Sequence, residues 1–188
     1  MKLLFAFISS ILMLCAAEAH YSNGELSVRD DGVLIETKTQ KPANGIGELF
    51  YESGKLKSET PFKNGLREGI GKRYYESGKL RSETPFINDK IEGLKKEYYE
   101  SGALQTEVTF VHDEAEGLTK FYYPSGKLQG ESLFKNNKAD GITKLYGPTG
   151  QLIRTIEFKE GDVVQGFDYD AKGNKIALSR EKLIEATK

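Results

Sequence analysis

Gly69-Ile-Gly-Lys-Arg-Tyr-Tyr-Glu-Ser-Gly-Lys-Leu-Arg-Ser-Glu-Thr-Pro-Phe86 decides the fold, because the chain repeats it in phase. Its opening glycine recurs at Gly45, Gly69, Gly93, Gly117 and Gly141, each step being 24 residues. The turn glycine keeps the same beat at Gly54, Gly78, Gly102, Gly126 and Gly150, followed by Leu56, Leu80, Leu104, Leu128 and Leu152. Each copy closes on Phe62, Phe86, Phe110, Phe134 or Phe158. Self-similarity at this period marks an array of one supersecondary unit, each copy needing its neighbours to bury its apolar side.

Residues 1–19 read as a cleaved export leader: Lys2, an apolar run from Leu3 to Ala17, and the small-x-small site Ala17-Glu18-Ala19. The run is too short to span a bilayer as a mature helix. A periplasmic or secreted protein beginning at His20 is expected. Leu14, before Cys15, disfavours a lipid anchor, and cleavage removes Cys15, the only cysteine, leaving no disulfide or thiolate metal site. The net charge of −1 comes from interspersed signs and gives no argument for nucleic acid. A mature chain of roughly 170 residues suits one domain.

Within a unit, Glu76-Ser77-Gly78 separates two segments of strand character, with glycine at the left-handed position of a three-residue hairpin loop. That turn sets Tyr75 opposite Lys79 and Tyr74 opposite Leu80. Strict alternation then gathers Ile70, Lys72, Tyr74, Leu80, Ser82, Thr84 and Phe86 on an apolar face. It sends Gly69, Gly71, Arg73, Tyr75, Lys79, Arg81, Glu83 and Pro85 to a polar one. A second three-residue loop is expected to end at Gly65, Asp89, Asp113, Asn137 and Gly161, residue types that tolerate a left-handed backbone. In this register each unit slips by two residues, roughly 6.6 Å along the strands for ~9.6 Å across. Bulges at Gly69 or Gly71 would absorb the slip.

The expected fold is therefore all-β: an elongated, twisted, single antiparallel meander of hairpins, on the order of 50–60 Å long. Residues 20–44 form a degenerate capping unit with an Asp31-Gly32 turn, 45–165 hold five 24-residue repeats, and 166–188 a degenerate last hairpin and helix. That hairpin turns at Asp170–Asn174. Ser179 caps the helix, which runs to about Ala186 and lies over the hairpin to block the open edge.

Tyr74-Tyr75-Glu-Ser-Gly-Lys-Leu-Arg-Ser-Glu and Tyr98-Tyr99-Glu-Ser-Gly-Ala-Leu-Gln-Thr-Glu resemble the MORN-variant repeat of bacterial proteins, a Tyr-Tyr-x-x-Gly-x-Leu core followed by Glu and an aromatic residue. The likeness covers roughly 45–165 and implies a meander of hairpins in an elongated sheet. Many bacterial members are named antitoxin-like, and eukaryotic arrays are associated with membranes, phosphoinositides and self-association. No catalytic residue is carried over, and an export leader departs from what a cytoplasmic antitoxin needs.

No catalytic constellation is present, so an enzyme is not expected, nor a cofactor or a bound metal. His112 takes a turn position held by Asn64, Asn88 and Asn136 in sister units. Glu59, Glu83, Glu107 and Glu131 make a carboxylate column whose roughly 9–10 Å spacing is too wide to share a metal ion. Its expected partners are the cations at 55, 57, 79, 81 and 127. Candidate binding residues are the ladder Tyr51, Tyr75, Tyr99 and Tyr123 on the polar face, with Leu80, Leu104, Phe86 and Phe110 on the apolar one. An aromatic and aliphatic strip this long needs covering. The chain reads as an interaction scaffold for a protein partner or its own twin. An envelope binder of lipid headgroups or glycans and a toxin-neutralising protein stand as alternatives.

Overall fold

A computed structural model describes residues 19–22, 24–30 and 32–185. The expected leader lies outside the described residues except for Ala19, as do Asp31 and the expected helix end at Ala186.

The array is one open, almost wholly antiparallel sheet. Each unit pairs a strand such as Gly69–Tyr74 with one such as Leu80–Ile87, and the next unit, opening on the short Lys90–Ile91 and continuing as Gly93–Tyr98, pairs back onto it. The Ser-Gly turn is as expected: Tyr75 N donates to Lys79 O at 2.8 Å, Gly78 takes φ +86°, and Tyr74 faces Leu80.

The second turn differs from expectation. Ile87 faces Lys90, so the loop is the two-residue Asn88-Asp89, with both residues at positive φ (49° and 68°). Asn64-Gly65, His112-Asp113, Asn136-Asn137 and Glu160-Gly161 repeat that left-handed pair. This is the backbone of the tight hairpin turn whose twist matches that of its strands.

Two bulges per unit then reset the register. Tyr74 faces Leu80 but Arg73 faces Ser82, leaving Arg81 as an extra residue. Phe62 faces Arg67 but Glu59 faces Lys72, so two further residues, Glu68-Gly69, are inserted, with Gly69 at φ +110°. As a result Lys72 and Lys96, one repeat apart, both lie opposite Glu83. The expected two-residue slip is fully cancelled, at Arg81 and Glu68-Gly69 rather than at Gly71.

The Arg81 bulge also corrects the faces. Because side chains alternate, one unpaired residue moves everything beyond it to the other side. Ser82, Thr84 and Phe86 share a face with Gly71, Arg73 and Tyr75, and together they line a trough. Tyr74 and Leu80 share the opposite face with Ile70, Lys72, Glu83 and Pro85. The expected single apolar face is thus divided between both sides of the sheet.

Both ends of the trough face are capped. At the N-terminus, Leu26–Val28 and Leu34–Glu36 form a separate two-stranded sheet, and Leu26 reaches over Gly47. Ala19–Tyr21 adds a short parallel strand along Gly45–Phe50, covering the first edge. The buried apolar side chains Tyr21, Ile35 and Ala43 gather in this cap. At the C-terminus the chain turns at Asp170–Asn174, where the Asp170 carboxylate accepts from the Lys172 and Asn174 amides. The helix Arg180–Glu185 follows Ser179, and Leu183 packs with Leu178 onto Gly166. The helix therefore covers the sheet face, while Lys175–Ala177 forms the last edge.

Between the caps, Ile156 is the one described apolar side chain that is buried. The middle of the array is held mainly by its ladders and turns, so its glycines can be ranked by what each must do. Gly78 sits in an ordinary left-handed turn with nothing within 4 Å of an added Cβ. Gly69 lies at φ +110°, and its Cβ would meet Pro61 Cγ at 3.1 Å. Gly78→Ala should cost about 1 kcal/mol. Gly69→Ala should cost distinctly more, since it adds a contact to the strain, and urea denaturation of the two variants gives the order.

Candidate interaction surfaces

With slip cancelled, equivalent residues run straight across the sheet. Glu48, Glu59, Lys72, Glu83, Lys96, Glu107, Lys120, Glu131 and Lys144 stand successively opposite one another. From Glu59 onward the signs alternate. The carboxylate column is therefore half of a mixed row, and its partners are the lysines at 72, 96, 120 and 144. Lys72 Nζ lies 3.2 Å from Glu59 and Lys144 Nζ 2.8 Å from Glu131.

A tyrosine from the next unit seals each carboxylate. The hydroxyls of Tyr74, Tyr98, Tyr122 and Tyr146 donate to Glu59 (2.7 Å), Glu83 (2.8 Å), Glu107 (2.8 Å) and Glu131 (3.3 Å). Burial first, and the carboxylate acceptor second, push the Tyr74, Tyr98 and Tyr122 phenols up to about 12. The Lys144 ammonium holds the Glu131 carboxyl below its usual range. Burial pushes Glu59 up, but the Tyr74 and Lys72 contacts outweigh it and leave that carboxyl lowered.

The ladder expected to bind also forms a second staple. Tyr51, Tyr75, Tyr99 and Tyr123 donate their hydroxyls to the carbonyls of Tyr74, Tyr98, Tyr122 and Tyr146 at 2.6–2.8 Å. Their half-buried rings lie on the trough side, where Lys57 and Arg81 sit over Tyr51 and Tyr75 at 5.5 and 5.6 Å. The opposite margin is tied by its turns: Asp89 Oδ1 accepts from Arg67 N, and Glu68 Oε2 from Asn88 N. His112 is a turn residue as expected, its amide donating to Glu92.

Phe86 and Phe110 lie half-buried on the trough face, Phe86 against Gly71, whose added Cβ would stand 2.9 Å from the ring. Leu80 and Leu104 lie half-buried on the other face beside Tyr74 and Tyr98. The structure thus does not bring the candidate residues into one site. The apolar surface left open is a different row. Ile70, Leu94, Leu118, Leu133 and Ile142 are 43–54 % exposed, stand in line beside the charged row, and alternate with Pro85 and Thr109. Ile87 and Val111 widen the strip at the turns. It runs roughly 30 Å at ordinary strand spacing. Its signal was available in the residue after each opening glycine (Ile46, Ile70, Leu94, Leu118, Ile142), which keeps the 24-residue beat.

A sheet grown from one hairpin and stapled along both margins defines a β-hairpin repeat protein. The sequence profile described as the MORN repeat variant matches residues 43–64, 67–88, 91–112, 115–136 and 139–160, and the chain belongs to that family. MORN repeats commonly serve as protein- or membrane-binding modules and are generally non-enzymatic. No curated protein matches the chain.

Two outcomes test the staple. Tyr98→Phe should lower stability by about 1–2 kcal/mol, since it removes a hydroxyl donated to a carboxylate. The raised phenols also fix a pH response. Their stabilisation is complete below the ordinary phenol value of 10.0 and is lost as pH climbs from there through about 12, because the unfolded chain ionises first. Wild type should therefore lose stability over that window more steeply than Tyr98→Phe, read from denaturation midpoints at each pH.

Proposed function

We propose that the protein is an exported, non-enzymatic scaffold that holds another protein against the Ile70–Ile142 strip. The single observation behind this reading is a straight, exposed aliphatic row on the face opposite the described end caps at Gly47 and Gly166. Large contiguous apolar patches on soluble proteins mark interaction sites. The bordering Glu–Lys row suits the polar rim of such a site: its charges are largely matched within the sheet, so a partner need not supply many of its own. The leader supports placement outside the cytoplasm.

Leu94→Asp with Leu118→Asp tests the strip. Both side chains are exposed, so the fold should tolerate the change within about 1 kcal/mol. Crosslinking in envelope extracts, with light scattering of the purified protein, should show a protein complex for wild type and at least a roughly ten-fold loss in the variant. Complexes unaffected by the double substitution, or a wild type that assembles with no protein at all, would sink the proposal.

A further inference from the structure

The five units are alike in their staples and unlike on the floor of the trough, and the unlike positions gather charge in one place. Where the first unit has Leu49 and the last Leu145, the second has Arg73. The bulge residue is Arg81 there, but Gln105, Gln129 and Ile153 in later units. Arg67 stands where later units have Ile91, Ala115 and Ala139, and Lys95 where the first two have Gly47 and Gly71. Arg67, Arg73, Arg81 and Lys95 line one hollow of about 530 Å3 together with Ser82, Thr84 and the acidic Glu97, which takes Arg73's place in the third unit.

Two of these cations are already engaged. Arg67 Nε lies 3.1 Å from Asp89, with its guanidinium 4.2 Å over the Phe86 ring, and Lys95 is 2.7 Å from Glu97. Among the described residues, Arg73 and Arg81 have no carboxylate in ion-pair range, and both are exposed. Bulge geometry puts Arg81 on the same side as Arg73, so two guanidiniums with no carboxylate in ion-pair range stand beside the nearly buried Ser82, Arg81 with its charge 5.6 Å over the Tyr75 ring.

From this we infer that the trough holds an acidic segment of a partner polypeptide, its carboxylates on Arg73 and Arg81. A guanidinium matches a carboxylate with paired N–H donors, and two charges without a carboxylate partner suit one or two carboxylates better than a polyphosphate. The caps at Gly47 and Gly166 stand on this same face, and they hold a flat membrane off its centre. In Arg73's row the floor reaches Leu49 one unit away on one side, and on the other runs through Glu97, paired with Lys95, to Phe121 two units away. Units repeat every ~9.6 Å, about three residues of extended chain. The fitting segment carries acidic residues with one apolar residue about three positions away toward Leu49 and another about six away toward Phe121. This site goes beyond the strip and lies on the opposite face.

The probe is a fluorescein-labelled peptide with a central Glu-Ser-Glu and a leucine and a phenylalanine outside it, read by anisotropy. Its control has both glutamates replaced by glutamine. Wild type should prefer the glutamate peptide roughly ten- to hundred-fold, with the preference shrinking as salt is added. Arg73→Gln with Arg81→Gln should abolish the preference while far-ultraviolet circular dichroism stays unchanged. Lys79→Gln, on the exposed Ser-Gly turn, should retain it, and so should the Leu94→Asp, Leu118→Asp variant, even if the strip proves to have no partner. Equal affinity for the two peptides, or binding of neither, overturns the inference. So does loss of binding in either control variant, or displacement of the peptide by phosphatidylserine vesicles through the same arginines.

Discussion

The register that places Lys72 and Lys96 on either side of Glu83 is the constraint on which the rest of the structure depends. A hairpin whose turns and strands simply followed one another would creep along its neighbour with every repeat. Charged residues would then meet different partners in each copy. The bulge at Arg81 and the inserted Glu68-Gly69 restore the starting phase once per unit. Only then do opposite charges fall in line, and only then does each tyrosine hydroxyl reach the carboxylate of the unit before it.

That arrangement explains how a sheet with so little buried apolar surface between its caps holds together. Neighbouring units share strand ladders, a tyrosine-to-carbonyl seam on one margin and interlocked turns on the other. The tyrosine–carboxylate pairs add to these on the open face. Because these contacts use the middle of both faces only lightly, side chains there are left to vary. The Arg73–Arg81 pair is a product of that freedom, whereas the strip position beside each opening glycine stays aliphatic in all five units.

Much of the fold was legible in residue order. The beat, the Ser-Gly turn, the Tyr74–Leu80 pairing and the capping role of Ser179 all follow from local chemistry that single residues betray. The bulge after Leu80 does not. Its residue is Lys57, Arg81, Gln105, Gln129 or Ile153, so no side-chain type marks it. The repeat length could not expose the error either, since an even period keeps copies in phase whichever residues are assigned to turns and bulges. One unmarked residue was enough to put Ser82, Thr84 and Phe86 on the wrong side and to part Glu83 and Pro85 from Lys72 and Ile70, whose face they share. Asn64-Gly65, a strong two-residue turn signal, was the available clue to the shorter second loop.

Zero creep has an evolutionary corollary. A duplication or loss of 24 codons inserts or removes a unit without disturbing the phase of any other. Copy number is then a heritable variable that selection can adjust almost independently of foldability. Lengthening the gene would extend both faces together, in steps of one hairpin, and a newly added copy would be free to diverge on its floor positions while its seams were inherited intact.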